Sequence, residues 1–109
     1  MNYKNIKYAE QNKVATIQLH RPKFLNALCD ELIEELSNVL DYANSNNDIH
    51  VVILKGSEKA FAAGADISEM KNLTLLSHIK EDFIAKWEKI STFKKPIIAS
   101  VAGYALGGG

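Results

Sequence analysis

Apolar and polar residues alternate from Val14 to Leu19, with Ala15, Ile17 and Leu19 on one side and Thr16 and Gln18 on the other. A period of two predicts a strand with one buried face. A weaker alternation over Tyr3 to Glu10 predicts an earlier strand, and Asn12-Lys13 reads as a turn. Pro22 closes the second strand, because proline has no ladder donor. The period then lengthens. From Cys29 to Asn44, Leu32, Ile33, Leu36, Val39, Leu40 and Ala43 recur at helical spacing. Glu31, Glu34 and Glu35 come early in that helix, where its dipole favours negative charge. Val51 to Leu54 is uninterruptedly apolar, which predicts a strand buried on both faces of a parallel sheet. Gly56 to Lys71 reads as a loop of small residues. A second helix is expected over Thr74 to Ser91, with Leu76, Ile79, Phe83, Trp87 and Ile90 along one stripe. Pro96 opens another run expected to be buried, Ile97 to Ala102, and the sequence closes on GYALGGG.

Strand, helix, strand, helix, strand, with long connections, implies an α/β fold built on right-handed crossovers. The last strand has no helix after it, so an exposed apolar surface and an open strand edge are expected, and the chain reads as a fragment. At 109 residues it makes one domain at most. With 47% hydrophobic and 24% charged residues it has the composition of a folded chain. Thirteen basic residues balance thirteen acidic ones, which gives no footprint for nucleic acid or an anionic membrane. No apolar run spans a bilayer, and one cysteine, Cys29, leaves no internal disulfide. The start resembles neither a signal core nor a transit leader. A soluble cytoplasmic protein, or a mature form whose leader is already gone, is the expectation.

Two segments have the makings of a site. Ala62-Ala63-Gly64-Ala65 puts tiny residues in a loop past a buried strand, the end of a parallel sheet where ligands bind. Asp66 and Glu69 after it have capping-box spacing. Gly107-Gly108-Gly109 offers unhindered amides after a second buried strand. Taken singly, a turn with a helix cap and a flexible tail are the plainer readings. Taken together, amides from two such corners have the means to converge on one oxygen, as an oxyanion hole does. GYALGGG lacks the spacing of a dinucleotide fingerprint, and no Lys-Ser or Lys-Thr follows to make a P-loop.

HRPKFLNAL, KAFAAGADISEM and KKPIIASVAGYALGGG resemble, in order and spacing, the motifs of the crotonase (enoyl-CoA hydratase/isomerase) family, and with the helices between them they cover essentially the whole chain. The resemblance implies the N-terminal part of a crotonase-like ββα spiral domain, residues 1–109, ending at the oxyanion-hole glycines. It implies an enoyl-CoA hydratase that adds water to trans-2-enoyl-CoA thioesters in fatty-acid β-oxidation. The oxyanion donors would be the amides of Ala65 and Gly108. Coenzyme A would be flanked by Lys23, Phe24 and Leu25 and by Ala63, Asp66, Ile67 and Ser68, with the Ala63 carbonyl near the adenine. Phe24 stands where many relatives have a small residue, and Ser68 where they often carry lysine.

Coenzyme A is part of the substrate, so no separate cofactor and no metal are implied. Homotrimers or hexamers are the usual assembly. The family's two catalytic glutamates lie beyond the glycine run. Glu58, Asp66 and Glu69 match neither, so these 109 residues alone are expected to be inactive. An isomerase or CoA-ester hydrolase of the same family stays open, as do a non-catalytic fragment and an unrelated nucleotide-binding module. His20, His50 and His78 have no spacing for a metal site or a catalytic pair. Cys29 reads as a buried or capping thiol, and Lys94-Lys95 as a solvated loop rather than a phosphate contact.

Overall fold

The structure, a computed structural model, describes residues 3–64, 88–107 and 109. Strand β1 (Ile6–Gln11) and strand β2 (Val14–Leu19) form an antiparallel hairpin, with Ile6 opposite Leu19 and Gln11 opposite Val14. The expected turn is there: Asn12 and Lys13 have φ of 53° and 67°, the pair of positive values that suits the twist of the flanking strands. β1 begins at Ile6 rather than Tyr3 because the backbone ahead of it is engaged elsewhere. The Glu35 carboxylate accepts the N–H groups of Lys4 and Asn5 and the Asn5 side-chain amide.

Helix α1 (Asp30–Ser45) buries the apolar face read from the sequence. Leu32, Leu36 and Val39 share one core with Ile17 and Leu19 of β2 and Val52 of the next strand. Cys29 is both buried and capping. It is the N-cap residue, and its Sγ accepts the Leu32 N–H at 3.4 Å, using one of the donors that a helix start leaves unpaired.

Strand β3 (Val51–Lys55) runs parallel to β2, and the crossover between them is α1. Its other neighbour, also parallel, is β5 (Ile97–Ser100), with Val52 opposite Ile97. The sheet order is therefore β1-β2-β3-β5. Two burial expectations need correction. Val52 and Leu54 of β3 are buried, but Val51 and Ile53 are only half-buried, so one face of the strand is fully covered rather than two. In β5, Ile97 is half-buried and Ile98 is 54% exposed. Ile98 lies opposite Ile53 and so shares the sheet face that is also only partly covered at Val51 and Ile53, and β5 is the edge of the sheet. The exposed apolar surface and open edge are thus present in Ile98, Val101, Tyr104 and Leu106.

Two short strands escaped the pattern. β4 (Ala60–Ala62) lies inside the expected loop, and β6 (Tyr104–Ala105) lies inside the glycine-rich end. They pair in parallel as a second small sheet. Of the second helix, residues 88–91 are helical and Ile90 packs on the core. Leu76, His78, Ile79, Phe83 and Trp87 lie outside the described residues.

Lys95 corrects another expectation, since it is neither solvated nor poised for a phosphate. Its Nζ donates to the carbonyls of Ala43, Asn46 and Ile49 at 2.6, 2.6 and 2.7 Å. The last turn of α1 carries no basic residue, so this distant ammonium supplies the cation that the negative helix end favours. It also ties α1 to the start of β5. Lys95→Met should cost about 1–3 kcal/mol, the worth of hydrogen bonds to a charged group, measured by urea unfolding. A loss under about 0.3 kcal/mol would show the latch to be idle.

Candidate active site

β4 and β6 bring the two small-residue corners together. Tyr104 N–H donates to the Lys59 carbonyl and Leu106 N–H to the Ala62 carbonyl, both at 3.1 Å. The strands run the same way, so the corners that follow them leave at the same end. Gly64 and Gly107 meet there. A Cβ on Gly64 would sit 3.1 Å from the Leu106 carbonyl oxygen, and a Cβ on Gly107 would sit 3.9 Å from the Gly64 Cα. Both glycines have positive φ, 100° and 52°, where a side chain adds strain. The chain then doubles back, with Gly109 N–H donating to the Leu106 carbonyl at 2.7 Å. Glu58 precedes β4 and lies at the opposite end of that strand from Gly64, away from this junction.

The Lys23–Leu25 loop joins the same place. Ala63 N–H donates to the Leu25 carbonyl at 3.1 Å, and Leu28 N–H donates to the Gly64 carbonyl at 2.7 Å. Leu25 and Ala63 are thus in direct backbone contact. The loop begins with a single 3-10 turn, Pro22–Phe24, and leaves it through two left-handed residues, Leu25 (φ 51°) and Asn26 (φ 58°). A left-handed leucine costs about 1–2 kcal/mol, so neighbouring bonds must hold it. Asn26 is buried, and its side-chain amide bonds on both sides of the loop. Sequence reading passed over it, although an asparagine after Pro22-Lys23-Phe24-Leu25 is the residue type that tolerates this conformation.

Phe24 is 55% exposed, and the Arg21 guanidinium lies 4.3 Å from its ring centre. One ring face thus carries a cation–π contact. Lys23 and Phe24 edge a cleft of about 330 Å³ whose wall also includes Lys4, His20 and Arg21. Lys4, Arg21 and Lys23 bring three cationic side chains around one hollow, a local grouping that the balanced whole-chain charge conceals, with the Glu35 carboxylate bonded to the Lys4 and Asn5 backbone beside it. A second cleft, of about 450 Å³, opens between α1 and the sheet, lined by Leu28, Leu36, Phe61, Ala62, Ile97 and Gly109 among others. Every described residue lining it is apolar or glycine, so it is suited to apolar surface.

Of the residues singled out from sequence, Leu25 and Ala63 are in backbone contact, and Lys23 and Phe24 line the cleft beside the same loop. Ala65, Asp66, Ile67, Ser68 and Gly108 lie outside the described residues, as do Glu69 and the Asp66–Glu69 capping box.

This arrangement has close counterparts. The profile of the Enoyl-CoA hydratase/isomerase family matches residues 9–109. The mitochondrial enoyl-CoA hydratase of Pongo abelii is 48% identical over 103 residues, covering 94% of this chain and 36% of the relative. The short-chain-enoyl-CoA hydratase of Clostridium acetobutylicum is 38% identical over 112 residues, covering all of this chain and 43% of the relative. The crystal structure of an enoyl-CoA hydratase from Bacillus anthracis superposes with a TM-score of 0.89 at 37% identity, covering 97% of this chain and 43% of that one. The chain thus spans about two fifths of the length of these relatives. Its α/β architecture is part of the crotonase fold, and the chain belongs to the enoyl-CoA hydratase/isomerase family.

Proposed function

We propose that this chain supplies the coenzyme A site and the oxyanion hole of an enoyl-CoA hydratase. In this reading the backbone amides of Ala65 and Gly108 donate to the thioester oxygen of a trans-2-enoyl-CoA. Water adds across the double bond, its hydroxyl to the β-carbon and a proton to the α-carbon. The thioester oxygen gains negative charge as the β-carbon is attacked, and each aligned donor is worth about 3–4 kcal/mol at that point. Backbone donors act without any acid or base of their own, so the carboxylates that handle water must come from elsewhere in the enzyme.

The observation that carries this reading is the meeting of Gly64 with Gly107. Ala65 and Gly108 are the next residues along each strand of chain. Support for the nucleotide end comes from the basic cleft beside Lys23 and Phe24, which has the charge to receive phosphates. Asp66, Ile67 and Ser68 complete the proposed coenzyme A contacts beside Ala65. Assembly into trimers or hexamers belongs to the same proposal.

Calorimetric titration with coenzyme A, crotonyl-CoA and NAD tests it. Coenzyme A and crotonyl-CoA should bind, crotonyl-CoA more tightly, and NAD should not compete. Binding of NAD without binding of coenzyme A would overturn the reading in favour of an unrelated nucleotide module. The 109 residues by themselves should give no hydration of crotonyl-CoA above background.

A further inference from the structure

We propose that Asn26 is a positioning residue that holds the Lys23–Leu25 loop against the Ala63–Gly64 corner, and so fixes the two walls of the acyl-CoA site relative to each other. This role rests on the functional reading above, which assigns Lys23, Phe24, Leu25 and Ala63 to coenzyme A. Asn26 itself needs no contact with ligand.

The argument begins with burial. Asn26 is only 2% exposed, and with Ser37 it is one of two buried polar residues among those described. A buried amide is tolerable when its donors and acceptor are used. Its Oδ1 accepts the Arg21 N–H at 2.7 Å, and its Nδ2 donates to the Ala60 carbonyl at 2.9 Å. The first bond closes the loop on itself, reinforced by Asn26 N–H to the Arg21 carbonyl at 3.0 Å. The second crosses 34 residues of sequence to β4. β4 is the strand that leads into Ala63 and Gly64, so the side chain spans from loop to corner strand.

The surrounding bonds show what this span controls. On either side of Asn26 in sequence, the Leu25 carbonyl receives Ala63 N–H and Leu28 N–H reaches the Gly64 carbonyl. These two backbone bonds are the seam between the proposed ligand walls. Both flank the left-handed pair Leu25 and Asn26, a conformation that persists only when its surroundings fix it. Arg21 braces the same loop from inside, its Nη1 donating to the Ala27 carbonyl at 2.6 Å. The loop is therefore bonded within itself through Arg21 and Asn26, joined to β4 by the Asn26 side chain and to the corner beyond β4 by the two backbone bonds. Lys95 is placed differently: half-buried, it fastens the start of β5 to the end of α1.

Asn26→Gly is the informative variant, since glycine keeps the left-handed backbone and removes both side-chain bonds. Amide hydrogen exchange at Ala63 and Leu28 reads the seam, and exchange at Val52, bonded to the Pro96 carbonyl in the main sheet, reads the fold. Titration with coenzyme A reads the site. Loss of two buried bonds should speed exchange at Ala63 and Leu28 by roughly tenfold or more. Coenzyme A affinity should fall by about tenfold, with Val52 changed less than about threefold. Asn26→Asp, which keeps an acceptor for Arg21 N–H but loses the donor to Ala60, should loosen the seam in the same sense, and serves if the glycine variant fails to fold. Equal acceleration at all three amides with unchanged affinity would reduce Asn26 to a structural residue and overturn the proposal. So would a loosened seam with unchanged affinity, or an unmoved seam. Wild-type protein that binds no coenzyme A would instead overturn the functional reading, a result visible before any variant is made.

Discussion

Gly103→Ala should separate β6 from β4 and cost about 2–5 kcal/mol, the sum of a backbone clash and left-handed strain. Gly103 has φ of 69°. A Cβ there would press into the Lys59 carbonyl oxygen and come within 2.7 Å of the Glu58 carbonyl oxygen. Both obstacles are backbone, so no side chain can swing away. The Lys59 carbonyl is also the acceptor for Tyr104 N–H, the first bond of the β4–β6 pair. Displacing it shifts the register that sets Gly107 against Gly64. Urea unfolding measures the loss, and coenzyme A titration should show binding weakened beyond what unfolding explains. A variant within about 0.5 kcal/mol of wild type would mean that this pairing does not form as described.

The second large effect concerns catalysis. On the proposed function, Gly108→Pro removes one backbone N–H and should slow turnover of crotonyl-CoA by about 10²–10³ in an enzyme that carries its acid and base residues. Proline is the telling replacement because most side-chain changes leave a backbone donor in place. The loss should appear in kcat, since the donor matters most as charge develops on the thioester oxygen. Circular dichroism establishes that the variant is folded. Turnover near the wild-type rate in a folded variant would remove Gly108 from the oxyanion hole.

How far the sequence foretold this molecule depends on the range of the interaction. The buried face of α1 follows from a 3.6-residue period within one segment, and the Asn12-Lys13 turn from its position between two strands. Such signals are local and were readable. β4 and β6 were not, because three and two residues are too short to display a period, and what stabilises them is their pairing with each other. Lys95 looked like a solvated lysine because its acceptors lie 46 to 52 residues earlier. The half-covered β3 and exposed β5 have the apolar composition of buried strands, and only the sheet order places β5 at an edge. At the site, the two glycine corners were legible as a pair through small residues after apolar runs. Their contact through Gly64 and Gly107 became visible only with the β4–β6 register. Asn26 was missed because its bond to Ala60 crosses 34 residues of chain. The local clue was there in an asparagine that closes a proline turn, but it gave no direction.

The proposed function implies a division of labour within the site. β4 and β6 align two backbone corners, and the Pro22–Leu28 loop, braced internally and bonded to β4, closes one side. Ligand recognition in this scheme relies on main-chain amides and a few basic side chains, so it tolerates much sequence change while depending closely on strand register.

The most direct measurement is an amide titration of ¹⁵N-labelled protein with coenzyme A and, separately, with crotonyl-CoA. If the two corners form an oxyanion hole, the Ala65 and Gly108 resonances move downfield with crotonyl-CoA and much less with free coenzyme A, which has no thioester carbonyl. If both amides respond equally to the two ligands, or to neither, the convergence of the corners on a thioester oxygen is contradicted.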